Sequence, residues 1–252
     1  MQVSVIARLA AVLMVLFAAA WGVASRAAEG GVLVFGGNRD TGLEIVRHLK
    51  SKGDAVTVFV RATSDVTELK KLGVATVTGD ALKADDVKAA IAAGKYRAVV
   101  SSLGGKRGEP RPDFEGVKNV VDGAKAAGVK RMVLVTAIGV GDSAGAVSPD
   151  VHKILGPIFA QKVKGEDYLK ASGLTYTIIR PGGLGSGVPT GTAKLTEDKT
   201  VGSEIYREDL GQVTADTIDD PKTYNKTFSA IDPTMMEAGP LTPRPGLVAP
   251  QK

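Results

Sequence analysis

The chain has 252 residues and no cysteine, which excludes disulfides, thiolate chemistry and cysteine-ligated metals; His48 and His152 are too few for a histidine metal site. Its net charge of +5 includes Arg8 and Arg26 of the N-terminal stretch, and the small remainder is spread among 27 acids, so no nucleic-acid footprint is present. The length suits one large α/β domain, and no solenoid repeat is evident. Residues 1–28 carry one early arginine, then an apolar run from Leu9 to Ala24, then Ser25-Arg26-Ala27 as a small-x-small cleavage site before Ala28. This is the layout of a secretory signal. The run is slightly short for a membrane span, so a retained anchor with membrane contact is the alternative. The expected location is periplasmic, secreted or membrane-anchored.

Gly31 to Arg61 reads as strand, glycine turn, helix, strand. Val32 to Phe35 is a short apolar run of the kind buried on both faces of a parallel sheet. Gly36 and Gly37 end it and permit backbone approaches that a Cβ would block. Leu43, Ile45, Val46 and Leu49 then supply a helical apolar face, closed by Gly53. Ala55 to Val60 is a second β-rich run with Arg61 at its end. A right-handed crossover puts the helix N-terminus, with its unpaired N–H groups, where a diphosphate binds. Further along, Asp65–Leu72, Asp85–Ala92 and the face formed by Phe114, Val117, Val120, Val121 and Ala124 are expected helices. Val74–Val77, Arg97–Ser101, Met132–Val135, Thr175–Arg180 and Thr227–Ile231 are expected strands. Pro181 is expected to stop the sixth, because it lacks an N–H. The basic loop GGKRGEPRP, with Lys106, Arg107 and Arg111, is either a solvated surface or a greeting for an anionic substrate.

In these residues and their order, from Gly31 to Ile231, the chain resembles the short-chain dehydrogenase/reductase superfamily, and within it the atypical, NmrA-like NAD(P)H-binding branch. The resemblance implies a single Rossmann-like domain over residues 30–232, an α/β doubly wound parallel sheet of order 3-2-1-4-5-6 with room for a seventh edge strand. It implies a dinucleotide site at Gly36, Asn38, Arg39, Asp40, Thr41 and Gly42, the alternative being a purely structural turn. Gly36 and Gly42 hold the outer motif positions; Arg39 and Asp40 stand where a middle glycine would be. By the same resemblance Asp80 and Ala81 meet the adenine, although Asp80 is equally suited to a cap or turn. Ser101, Ser102 and Leu103 run along ribose and diphosphate, and Pro181, Gly182 and Gly183 line the nicotinamide end. Arg180 of the same turn is the more natural fastener of a neighbouring loop.

Catalysis is where the chain departs from its superfamily. Thr136 ends the fifth strand where a catalytic Ser or Thr commonly sits, and its hydroxyl can bond a substrate carbonyl. Lys162 and Glu166 match the Lys and Glu of the Tyr-x-x-x-Lys pattern, but the Tyr position is Ile158, which has no proton to give. Tyr168 lies one and a half helical turns beyond and faces elsewhere. Lys162 is then either a ribose contact or an exposed helix lysine. Tyr206-Arg207-Glu208-Asp209-Leu210 resembles the start of the family's late helix, with Asp209 expected as a structural cap rather than a catalytic acid. From Pro233 to Lys252 the proline-rich composition reads as a disordered tail. Two functions fit: an NADP-dependent oxidoreductase lacking the usual Tyr, acting on an unidentified small molecule, or a non-catalytic nucleotide-binding sensor or scaffold. NADP is expected over NAD, because Arg61 rather than an acid follows the second strand and Arg39 offers a second fork. Asp40 and Asp65 limit that preference to about one to two orders of magnitude.

Overall fold

The computed structural model describes residues 30–105 and 108–244. The leader, Lys106, Arg107 and residues 245–252 lie outside the described residues.

Strand β1 (Gly31–Phe35) is central, and its side chains alternate. Val32 and Val34 join one apolar cluster, Leu33 and Phe35 the other, all of them fully buried. A residue buried on either face contributes about 1.5–3 kcal/mol, which is why so short a run holds the centre of the sheet. Around it stand β2 (Val56–Val60), β3 (Ala75–Thr78), β4 (Tyr96–Ser101), β5 (Arg131–Val135) and β6 (Thr175–Pro181), in the order β3-β2-β1-β4-β5-β6, all parallel. The order expected from the sequence is the order observed. Beyond β6 lie β10 (Lys226–Ile231), parallel to it, and β8 (Lys194–Thr196), antiparallel at the edge. A separate parallel pair joins β7 (Gly183–Gly185) to β9 (Glu204–Tyr206).

Helices α1 (Asp40–Ser51) and α6 (Arg207–Asp216) cover the valine face through Leu43, Ile45, Leu49, Leu210 and Ala215. The short helix α2 (Thr67–Lys71) adds Leu69 to that face. The opposite face is covered by α3 (Ala84–Ala92), α4 (Glu115–Ala126) and α5 (Pro149–Lys170). Among the described residues no helix is long and apolar enough to cross a membrane. At the sheet edge opposite the carboxyl ends, buried Arg131 donates to the carbonyls of Thr217 and Ile218 and lies over the Tyr224 ring, tying β5 to the end of α6. Burial pushes its pKa down to about 10, so it stays charged at neutral pH.

Two expectations need correction. Pro181 is the last residue of β6 rather than the first beyond it: it is paired with Ala230, and its carbonyl accepts the Ile138 N–H at 2.7 Å. A missing N–H matters little where only the carbonyl is used. Nor is the segment after Pro233 without structure. Leu241 donates its N–H to the Ala146 carbonyl and accepts from Ser148, and its side chain joins the cluster of Ile138, Val147 and Phe159. Arg244 bonds the Leu184 carbonyl and pairs with Glu204. One apolar residue and one guanidinium, each with a fitted partner, overcome the entropy that composition alone would predict for this segment.

Candidate functional site

The carboxyl ends of the parallel strands open into one cleft of about 800 Å³. It lies between β1 and β4, where the order of strand addition reverses, the place at which open α/β sheets collect ligands. The turn after β1 supplies Gly36, Asn38, Arg39, Asp40, Thr41 and Gly42. Arg61 follows β2, Asp80 and Ala81 follow β3, and Ser102 and Leu103 follow β4. Thr136, Lys162 and Pro181 close the other end.

The turn is fixed by contact. A Cβ on Gly36 would stand 2.6 Å from the Ser102 carbonyl oxygen, and one on Gly42 would stand 2.0 Å from that of Gly36. Of the two residues in the middle-glycine places, Arg39 is extended and Asp40 has φ of +51°, in the left-handed region that favours glycine. The first helical bond of α1 runs from Leu43 N–H to Arg39 carbonyl, which leaves the earlier N–H groups without a helical acceptor. Beside them the Thr41 hydroxyl is buried with no hydrogen-bond partner among the described residues. A glycine cradle, free backbone donors and an orphaned hydroxyl together fit a diphosphate group.

Both arginines at the β2 end of the cleft are occupied by acids. Arg39 pairs with its neighbour Asp40, and Arg61 donates to Glu109 at 2.8 Å across the cleft from the loop after β4. Asp65 accepts from the Thr67 N–H at the start of α2, and the bond from Thr67 holds its carboxyl below the usual range. Asp80 accepts from Leu82 N–H at 3.0 Å, so it forms a turn while it lines the cleft.

At the other end Lys162 is mostly buried, and its Nζ lies 2.9 Å from the fully buried carboxylate of Asp113. Arg111 holds the same carboxylate at 2.9 Å and the Gly105 carbonyl at 3.1 Å. Lys162 is therefore no exposed helix lysine, and Arg111 anchors its own loop rather than facing solvent. Burial pushes the Asp113 carboxyl up, but Lys162 and Arg111 more than offset this and hold it below the usual range. With a depressed folded value, the cluster contributes its stability above the unfolded carboxyl value, near pH ~4, and loses it as pH falls through the lower folded value. Thermal melts between pH 5 and pH 2 are expected to fall less steeply for Asp113→Asn than for the parent; equal slopes would remove Asp113 from the acid response.

Thr136 donates its hydroxyl proton to Glu166 at 2.7 Å, not to the cleft, and Glu166 is held in turn by Arg180. Arg180 also pairs with Asp142 of the loop after β5, so it does fasten a neighbouring loop. Tyr168 donates to Asp122 on α4 at 2.7 Å, well away from the cleft. Three expected site residues fall outside the cleft lining. Ser101 is fully buried within the sheet. Gly182 is pressed by the Ser203 carbonyl oxygen and by Leu241, 2.0 and 2.8 Å from an added Cβ, and Gly183 by Arg244 at 2.7 Å. The glycines admit the C-terminal segment; that segment had read as disordered, so the contact was not foreseen. Glu109 and Asp113 were also missed. Each belongs to a polar loop without periodicity, and only the fold brings it to its partner. Asp209 accepts from the Thr190 and Gly191 N–H groups, clamping the loop before β8.

The profile of the NAD(P)H-binding family matches residues 36–221. An uncharacterized sugar epimerase, YhfK of Bacillus subtilis, is 29% identical over 203 residues, covering 78% of this chain and 92% of that protein. Sanguinarine reductase of Eschscholzia californica is 36% identical over 125 residues, 46% of this chain and 43% of the relative. Among solved structures, ChuY of Escherichia coli O157:H7, described as an anaerobillin reductase, superposes with a TM-score of 0.74 at 30% identity, over 82% of this chain and all of that one.

Proposed function

The chain belongs to the NAD(P)H-binding family, and on that premise we propose that it is an NADP-dependent reductase whose substrate needs no proton from an enzyme tyrosine. The observation that carries this reading is the cleft itself: a glycine cradle with an orphaned Thr41 hydroxyl at one end and Lys162, set by Asp113, at the other. The cofactor, when bound, supplies a hydride. Gly36, Gly42 and the first N–H groups of α1 would hold its diphosphate. Arg61 and Arg39 would hold the 2′-phosphate by charge-assisted hydrogen bonds. Asp80, Ala81, Ser102 and Leu103 would line the adenosine and ribose path, and Lys162 would donate to the nicotinamide ribose.

Ile158 leaves the family's proton-donor position apolar, and the Thr136 hydroxyl is already engaged as a hydrogen-bond donor to Glu166. A ketone acceptor, whose oxygen must be protonated as hydride arrives, is poorly served by such a site. A conjugated or cationic acceptor carbon is served, since hydride addition then needs no concerted proton and any later proton comes from water. The relatives named as reductases of sanguinarine and anaerobillin support a reductase.

Titration of the full chain with NADPH and NADH, following nicotinamide fluorescence, tests the reading. NADPH is expected to bind about tenfold more tightly, within the range that two partly neutralised arginines allow. Lys162→Ala is expected to weaken NADPH binding by about tenfold, the loss of one charge-assisted bond. Reduction of simple ketones should be negligible. Ketone turnover that follows a single protonation would assign the proton to another residue. Binding of neither nucleotide would leave the scaffold reading in its place.

A further inference from the structure

We propose that Glu109 is the cofactor-selecting acid of this site, supplied from the loop after β4 rather than from the end of β2. The inference rests on the nucleotide site proposed above and deepens it. In NAD-selective sites a carboxylate follows the second strand, where it accepts from the ribose 2′-OH and repels a 2′-phosphate. The second strand here ends in Val60, followed by Arg61 rather than an acid, and the next acid, Asp65, is bonded to the Thr67 N–H, so by that local rule the site favours NADP. In the folded chain a carboxylate nevertheless stands there. Glu109 Oε2 lies 2.8 Å from Arg61 Nη1, and both residues line the cleft.

Its position is not that of an arbitrary surface acid. Arg111, two residues on, is bonded to Gly105 and to buried Asp113, so the base of the loop carrying Glu109 is tied to the domain. On the other side Arg61 follows a buried strand, and its N–H is bonded to the Ser64 hydroxyl, which fixes the turn. Two anchored segments thus hold a cation and an anion together where the 2′ position of the adenosine ribose would lie.

The consequence is a site that serves either nucleotide. Toward NADPH, Glu109 competes for Arg61 and adds a negative charge beside the phosphate. Toward NADH, it offers the 2′-OH an acceptor that is already oriented. Because both groups are partly exposed, the competition is screened and moderate, several-fold rather than a thousandfold.

The test is a pair of dissociation constants, for NADPH and NADH, in the parent, Glu109→Gln, Arg61→Ala and the double variant. Glu109→Gln is expected to tighten NADPH about fivefold and to weaken NADH two- to threefold, raising the NADPH/NADH preference about tenfold. Arg61→Ala should lower that preference. In the double variant the effect of Glu109→Gln on NADPH should shrink, because the two act on one phosphate. The preference of the single Gln variant should also fall with added salt more steeply than that of the parent. A preference unchanged within twofold in Glu109→Gln, while the parent binds both nucleotides, overturns the role of Glu109 and leaves the nucleotide site standing. A parent that binds neither nucleotide removes the site, and Glu109's role with it.

Discussion

Arg180→Met is expected to lower the melting temperature by about 6–20 °C, because it leaves the buried Glu166 carboxylate with only Lys170, 3.5 Å away and partly exposed, as a cation. Arg180 and Glu166 are both within the core, and the guanidinium meets the carboxylate with two hydrogen bonds, Nε at 3.0 Å and Nη2 at 2.6 Å. Breaking one side of such a pair costs about 3–5 kcal/mol, because the remaining charge keeps its desolvation penalty and loses its compensation. The same carboxylate accepts from Thr136, and the same guanidinium reaches Asp142. The pair therefore joins β6, α5 and the ends of β5 beneath the cleft floor. Replacing both members, Arg180→Met with Glu166→Leu, should recover part of the loss, since no charge is then left buried. Calorimetry of the three proteins decides the matter. A single variant melting within 2 °C of the parent would mean that water or a rearranged loop already satisfies Glu166.

That network shows what the sequence could and could not reveal. The helix and strand periods were legible because each depends on neighbours three, four or two residues away, as Leu43, Ile45, Val46 and Leu49 illustrate. The outer glycines were legible for a related reason: Gly36 turns the chain at φ of +80° and Gly42 meets the Gly36 carbonyl, both local demands, although the Ser102 carbonyl that also crowds Gly36 was not legible. Arg180 could be read as a loop fastener from its place at the end of a strand, but its partner Glu166 carried a different expectation, drawn from the spacing to Lys162. The ion pairs Arg61–Glu109 and Lys162–Asp113 join residues about fifty apart in the chain, and no local pattern distinguishes either acid from a solvated one. The C-terminal segment was misread because composition reports average entropy. It does not report the one slot that accepts Leu241.

The glycine turn separates a required glycine from a dispensable one. Gly42→Ala is expected to weaken NADPH binding by about 100-fold or more while the domain still folds. The added methyl would lie 2.0 Å from the Gly36 carbonyl oxygen, a distance no side-chain rotation can relieve. The turn must open, drawing the N–H groups of α1 away from the diphosphate position; overpacking of this kind costs about 1–3 kcal/mol, and a factor of 100 corresponds to about 2.7 kcal/mol. Asp40→Gly should act in the opposite direction. Asp40 holds φ at +51°, so glycine relieves left-handed strain worth about 1–2 kcal/mol, although part of that gain returns as greater freedom in the unfolded chain. It also removes a carboxylate from the cradle and frees Arg39, now paired with it, for the cofactor phosphate. Tighter NADPH binding at unchanged or higher melting temperature is the expected result for Asp40→Gly. The two variants, measured by fluorescence titration and thermal melting on the same preparation, must move apart. If Gly42→Ala binds NADPH as the parent does, the cradle does not hold the diphosphate, and the nucleotide must be placed elsewhere along the cleft.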